Sequence, residues 1–533
     1  MSIKKYIKNK NSILVLAIMF MAIIIRIMNY PNGIKDVNCD EVMMAINARS
    51  ISSTAKDIYG TELPVYFEAW LNAGQSAFPT YLVALAIKLF GFNLFAIRLP
   101  ILLISIISIY IIYLLSKKIF NDKIGILVLF LTAINPWHIM QSQWNLDCNL
   151  FPHIILIAVY FLYVGIVDKK KFFLFFSMFL FGISMYCYGI SVYFVPLFLA
   201  IIGISLLLKK EIEIKEFIYC LLIYIIISLP IFIMYIINFL EIEVEKIKFG
   251  IFTIQKFQYD TRRGDMLIFS SNILQQLKIN IISILFVILL QNDGLVWNSI
   301  REFGTIYLFS FPFIFIAVIG ILTNKSSKNC KIILLWIVLS IIVGIFINKV
   351  NINRLNIIWY PLIMLTGYGI YEFCNRIKMK KIFFNIIILL YIIYFVWFIT
   401  KFYGKFQDTI SNAITFSNGL VDACYYINNM EEKNIIVSES SNTLKTYVYY
   451  RYALNYDYTI PIDKMELLYY YYFNKEMNWF NTDRKIFVTE DFSQEKLLQE
   501  EVYLIKTEEK KNINNIEEYS ESIFGQYIIL IKK

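Results

Sequence analysis

Long apolar runs broken by short lysine-bearing connectors set the pattern of the first 400 residues. Several runs reach the roughly 20 residues that a helix needs to cross a hydrocarbon core. Among them are the stretches around Ile13–Ile25, Ile101–Leu115, Phe217–Leu240, Ile332–Ile347 and Ile382–Thr400. Beyond residue 400 the pattern changes. Charge density becomes ordinary, and helix-like stretches alternate with strand-like ones such as Asn434–Val437 and Lys485–Val488. The pattern therefore predicts a polytopic α-helical membrane protein over 1–400, followed by a small soluble α/β domain over 401–533.

Lysines orient the helices, because positive residues in short loops mark the cytoplasmic side. Lysine-rich connectors occur at 1–10, 117–123, 169–171, 209–215, 325–331 and 376–381. Placing all of them inside gives a self-consistent path of about eleven transmembrane helices. The first helix runs outward over 12–29, the chain stays outside until about 97, and 98–115 returns inward. The segment 124–136 goes out, an outer loop covers 137–152, and 153–167 returns. Further spans lie near 172–189, 191–208, 216–239, 305–323, 332–348, 354–372 and 382–400. The N-terminus is then cytoplasmic and the C-terminal domain extracytoplasmic, in a multi-pass protein of the plasma membrane. The apolar segment Ser76–Phe92 carries Lys88 and is short, so it is expected to lie in the outer interface. Residues 267–291 are expected to do the same within the outer loop 240–304.

Composition supports the membrane reading: 58% of the 533 residues are AVILMFWYC and 17% are charged, against about 45–50% and 25% in soluble domains. The net charge of +10 comes largely from lysines between apolar runs, so it orients helices and marks no nucleic-acid surface. The first residues resemble a signal peptide, with Lys4, Lys5, Lys8 and Lys10 ahead of an apolar run. No small-residue cleavage site follows, and an uncleaved first helix is expected. Seven scattered cysteines without a C-x-x-C pair argue against a zinc site or a disulfide framework. They read as small apolar residues, with Cys39–Cys148 as the one bridge worth considering.

Acids collect outside the predicted spans. The first outer loop, 30–97, holds Asp36, Asp40, Glu41, Asp57, Glu62 and Glu68. The pair Asp40–Glu41 precedes a helical pattern, where it either caps the helix or faces outward as chemistry. The short loop 137–152 reads WHIMQSQWNLDCNLFP. Within it, Asp147 is a second active-site carboxylate or an N-cap, and His138 packs beside Trp137 or acts. Arg26, Arg98 and Arg354 fall at the outer ends of spans, where positive charge is disfavoured. Each could snorkel to a headgroup; three together better suit a site that holds a phosphorylated lipid.

These residues and their order resemble the GT-C superfamily of glycosyltransferases, in particular the protein O-mannosyltransferase and aminoarabinose transferase-like families. The matching pieces are Asp40–Glu41 and LPVYFEAWLNAGQSAFPTYL at 63–82. They continue with KLFGFNLFAIRLP at 88–100, INPWHIMQSQWNLDCNLFP at 134–152 and NINRLNIIWYPL at 351–362. The resemblance implies transfer of one sugar from a polyprenyl-phosphate carrier to an extracytoplasmic glycan, lipid or protein hydroxyl. It makes Asp40 the expected general base, Glu41 its neighbouring acid, and Asp147 a looser third acid. Arg354, with Arg98 and Arg26, is expected to bind the donor phosphate. Glu68, His138, Trp144 and Asn145 are expected to contact substrate. Relatives acting on lipid A carry a proline pair after the first loop, whereas this chain has SAFPTYL around Pro79, which leaves the acceptor open.

An inverting displacement needs one base for the acceptor proton, worth about 10²–10⁴-fold. A phosphate leaving group needs cations and no protonating acid. A divalent ion on Asp40, Glu41 and Asp147 has no spacing in its favour, so no metal or cofactor is expected. The alternative classes are a lipid or solute transporter or flippase, and a scaffold whose tail binds a partner. A transporter tends to place ionisable groups at the bilayer midplane, and here the span interiors lack acids.

Overall fold

The computed structural model describes residues 10–70, 73–257, 265–323, 330–430, 435–438, 443–453, 477–478, 485–489, 502–513 and 516–533. A helix stands at each expected span. Five of them are long and apolar enough to cross a membrane by length and composition: Leu94–Ile119, Asp147–Val167, Ser191–Leu208, Ile214–Phe239 and Lys380–Phe402. Others are shorter than the pattern suggests, and local chemistry explains one case directly. Asn135 caps a new helix, Pro136–Gln141, by accepting from the His138 amide, and Pro136 follows at the first helical position. The apolar run that begins at Asp122 is thereby cut into Asp122–Ala133 and a short outer helix.

Three of the lysine connectors, 117–123, 169–171 and 209–215, meet at one end of the bundle, whereas most of 1–10 and 325–331 lies outside the described residues. Lys117 pairs with Asp122 at 2.7 Å, Lys118 with Asp168 at 2.7 Å and Lys171 with Glu216 at 2.8 Å. Asn11 donates to the same Asp122 at 2.7 Å. Two acids of the long loops pair with arginines instead, Glu41 with Arg98 and Asp265 with Arg354. The two apolar segments expected in the interface both form helices, Ala77–Phe90 and Ile273–Leu289. Around helix Ile273–Leu289, Ser270 meets Asn348 at 3.0 Å, Asn280 donates to the Ile345 carbonyl at 2.9 Å, and Asp293 accepts from the Ile352 amide at 2.8 Å. The helix and its flanks thus pack against the 345–352 segment at the end of Lys331–Phe346. Helix Ala77–Phe90 starts beside Asp147, and just beyond its end Phe92 packs on Tyr452 of the tail.

In the tail a six-stranded sheet runs in the order Met477–Asn478, Lys485–Thr489, Ile435–Ser438, Val502–Lys506, Tyr527–Lys532, Tyr519–Phe524. Ile435–Ser438 is parallel to both neighbours; the other pairs are antiparallel. Alternation along the strands divides two cores. Val437, Val502, Leu504 and Ile529 face a core shared with Val42, Met44, Ile46 and Ala48 of the first-loop helix Cys39–Thr54. Ile436, Tyr503, Ile505, Ile528 and Leu530 face the opposite side. The tail is therefore an α/β unit built onto the first outer loop.

The link between them is specific. Phe416 is 1% exposed and sits between Trp144 at 5.6 Å and Trp297 at 5.9 Å. The Cys39 amide donates to the Thr415 carbonyl at 2.7 Å, and the Tyr449 hydroxyl donates to the Val37 carbonyl at 2.7 Å. All seven cysteines are free thiols. Truncating Phe416 to alanine should cost about 3–5 kcal/mol, the usual loss for a buried aromatic. Limited proteolysis of the detergent-purified protein should then release the tail faster than in wild type. An unchanged cleavage rate would show that the docking does not depend on this ring.

Candidate active site

The adjacent acids Asp40 and Glu41 have separate tasks. Glu41 and Arg98 are both fully buried and form a bidentate pair, Nε to Oε1 at 2.9 Å and Nη2 to Oε2 at 2.7 Å. Arg98 spends its remaining N–H groups on the carbonyls of Pro31, Ile34 and Asp36, at 2.8, 2.6 and 3.0 Å. A guanidinium has five N–H donors, and all five are taken. The Asn145 amide also donates to Glu41 Oε1 at 2.8 Å. One ion pair thereby ties together the first-loop helix, the loop that enters it, helix Leu94–Ile119 and the 142–146 turn.

Asp40 is left for other work. Asn38 caps the helix by accepting from the Asp40 amide at 3.0 Å, so the Asp40 carboxylate is not the cap. Its Oδ1 accepts from the Trp70 indole at 2.8 Å, and its carbonyl accepts from Gln75 Nε2 at 2.9 Å. No hydrogen-bond donor among the described residues is recorded at Oδ2. Both contacts come from the hairpin Tyr66–Ala69/Ala73–Ser76, whose register pairs Tyr66 with Ser76 and Glu68 with Gly74. The hairpin's far end reaches the second acid, where Ser76 Oγ donates to Asp147 Oδ2 at 3.0 Å. Asp147 Oδ1 accepts from the Cys148 amide at 2.8 Å, inside the first turn of helix Asp147–Val167. Asp147 therefore starts a helix and holds the hairpin.

The same hairpin also forms one wall of a cavity of about 470 Å³. Tyr66 and Gly74 form that wall, and a Cβ at position 74 would collide with the Tyr66 ring. The opposite side carries Tyr188, Tyr193, Phe232, Tyr235 and Phe239 among aliphatic side chains, so the lining is mainly apolar with a large aromatic share. Arg354 and Asp265 stand at its polar end and pair at 2.7 Å. Arg354 Nη1 also donates to the Asn348 carbonyl. That accounts for two of its N–H groups, and the other three have no acceptor among the described residues.

The predicted site residues divide accordingly. Asp40, Asp147 and Arg354 come to one hairpin and its cavity. Arg98 does not reach phosphate, for the reason above. Nor does Arg26, fully buried with its N–H groups on His138 Nδ1 and the carbonyls of Ala22, Thr132 and Ala133. His138 is correspondingly a core residue, accepting from Arg26 and facing Ser108 at 3.2 Å. The Trp144 ring packs on Phe416, and Asn145 Nδ2 donates to the Ile97 carbonyl at 2.8 Å. Glu68 is 3% exposed. These four expected substrate contacts line none of this cavity. Sequence reasoning missed Trp70, Gln75 and Ser76, although all stand in the quoted 63–82 segment, and it missed Asp265. The aromatic break YCYGISVY at 186–193, between two apolar runs, was a usable signal for the cavity wall.

Comparison with known proteins agrees with this architecture. The family model for dolichyl-phosphate-mannose-protein mannosyltransferase matches residues 75–235. The structure is similar to ArnT from Cupriavidus metallidurans bound to undecaprenyl phosphate, with a TM-score of 0.55 and 10% identity, covering 98% of this chain and 97% of that one. The chain has the GT-C fold. It is also similar to the Archaeoglobus fulgidus oligosaccharyltransferase in complex with zinc and sulfate, at TM-score 0.52 and 12% identity. That match covers 82% of this chain and 61% of the longer archaeal one. No curated protein matches the sequence.

Breaking the buried pair should strand a charge, at about 3–5 kcal/mol for either Glu41→Gln or Arg98→Met. Thermal unfolding in detergent should show the double variant losing much less than the sum of the singles. Additive losses would mean that the two groups do not act as a unit.

Proposed function

We propose that this chain is a membrane glycosyltransferase that takes a sugar from a polyprenyl-phosphate donor and passes it to an extracytoplasmic acceptor hydroxyl. One observation carries the reading: a single hairpin is the wall of an apolar cavity ending in Arg354 and, through Trp70 and Gln75, the support of Asp40. The donor has an apolar chain and a singly charged phosphodiester that becomes a dianion as the sugar leaves, and the cavity offers apolar walls with an arginine at one end. The undecaprenyl phosphate held by the C. metallidurans protein and the dolichyl-phosphate-mannose of the matched family support the same donor class.

In this reading Arg354 holds the departing phosphate, whose developing charge is what needs stabilising. The apolar lining keeps water from the anomeric carbon. Asp40 Oδ2 takes the proton of the attacking hydroxyl while Trp70 fixes the carboxylate through Oδ1. One base and a weakly basic leaving group suffice for inversion. Asp147 positions the hairpin through Ser76, and Glu41 positions Asp40 by anchoring their shared helix turn. The lysine end of the bundle is cytoplasmic, as the positive residues of short loops direct, which puts the hairpin outside.

Transfer from radiolabelled polyprenyl-phosphate sugars by the purified protein tests this. Asp40→Asn should lower kcat by about a hundredfold or more, the range for a lost general base. Arg354→Gln should weaken donor binding about tenfold or more, as a charge-assisted hydrogen bond is removed. Both variants should unfold at the wild-type temperature. An Asp40→Asn enzyme with full kcat would remove Asp40 from the chemistry.

A further inference from the structure

Arg354 and Asp265 close the polar end of the cavity, and the backbone around them is pinned. Met266 and Ile347 form an antiparallel bridge, and the Asn348 amide donates to the Asp265 carbonyl at 2.8 Å. Asn351 Oδ1 accepts from the Arg354 amide at 2.9 Å, and Arg354 Nη1 donates to the Asn348 carbonyl. On this frame the Asp265 carboxylate reaches two cations with different atoms. Its Oδ2 accepts from Arg354 Nη2 at 2.7 Å, and its Oδ1 lies 3.6 Å from Lys349 Nζ. The arginine and aspartate side chains are 18% and 22% exposed, whereas that of Lys349 is 80% exposed.

A guanidinium offers an oxyanion two forked faces, Nε with Nη2 and Nη1 with Nη2. Nη2 belongs to both, and it is the nitrogen that Asp265 holds. A phosphate seated on either face therefore meets the Asp265 carboxylate at the shared nitrogen, where two anions repel. In the empty cavity the same carboxylate keeps a largely buried guanidinium from standing without a counter-charge. Lys349 gives the carboxylate a second partner on the solvent side. Giving up Arg354 thus leaves Asp265 beside a cation that it already approaches.

We propose that Asp265 competes with the lipid phosphate for Arg354. It holds the guanidinium in the empty cavity, yields it to the donor by shifting onto Lys349, and returns as the spent carrier leaves. The proposal rests on the reading of Arg354 as the donor-phosphate site. Asp265 then sets how long a phosphate stays there. The spent carrier is a dianion and pairs with Arg354 more strongly than the singly charged donor does. A carboxylate waiting beside the same nitrogen offsets that preference, so the carrier is exchanged and the next donor can enter.

Isothermal titration of the detergent-purified full chain with farnesyl phosphate, a short carrier monophosphate, tests it without turnover. Asp265→Asn should bind about tenfold more tightly than wild type, the scale of one charge-assisted hydrogen bond, and Asp265→Ala should do the same. In an Arg354→Gln background the Asp265→Asn change should gain less than about twofold, because no pair remains to exchange. Thermal unfolding of each variant checks the fold. Binding by Asp265→Asn that equals or falls below wild type would overturn the proposal. So would a full gain that survives Arg354→Gln, since Asp265 would then act by plain repulsion. Arg354→Gln binding as tightly as wild type would remove the donor-phosphate site itself, and the proposal with it.

Discussion

The end of this protein that carries the hairpin depends on one buried ion pair. Glu41 and Arg98 are removed from water together, and each would be costly alone. Their geometry satisfies every guanidinium N–H, and the carboxylate also collects the Asn145 amide. Three carbonyls of the 31–36 loop are fixed by the same arginine. The helix that begins at Cys39 thus has a fixed origin on the membrane bundle, and Asp40 inherits its position from that origin. Adjacent acids in sequence become an anchor and a reactive group because successive helical residues point about a hundred degrees apart.

The hairpin converts this fixed origin into a site. It is short, four residues a strand, and too small to stand alone. It persists because Asp40 and Asp147 grip it from two sides, through Trp70, Gln75 and Ser76. One hairpin then serves two purposes: Tyr66 and Gly74 line the cavity, while Gln75 and Trp70 at the turn hold Asp40. The tail adds a further layer on the same helix, since Val42, Met44 and Ile46 pack into its core. Membrane bundle, first loop and tail are consequently coupled through about four helical turns, so changes in any of them reach Asp40.

Much of this was legible in the sequence because the bilayer imposes a strong period and length on helices. The helices at the expected spans and the meeting of three lysine connectors follow from hydropathy and charge alone. The α/β tail followed from its change in composition. The arginines were harder. Sequence placed Arg26, Arg98 and Arg354 in one class, at the outer ends of spans, whereas the fold uses two of them as internal clamps and one at a cavity. Which it is depends on carbonyls and partners that can lie more than a hundred residues away, such as Ala133 and His138 for Arg26, and no local pattern encodes that. His138 shows the same limit, since its position beside Trp137 was legible but its contact with Arg26 was not. The hairpin escaped notice because its strands are short and sit beside the apolar 77–90 helix.

In the proposed function the cavity beside the hairpin receives the lipid-phosphate donor, with its phosphate at Arg354. Photo-crosslinking with a diazirine-bearing polyprenyl phosphate, followed by peptide mapping, tests it most directly. The account predicts labelling in the Tyr188–Tyr193 and Phe232–Phe239 segments, competed by unlabelled polyprenyl phosphate. Labelling confined to the lipid-facing surface of helix Lys380–Phe402, with none at the cavity, would contradict it.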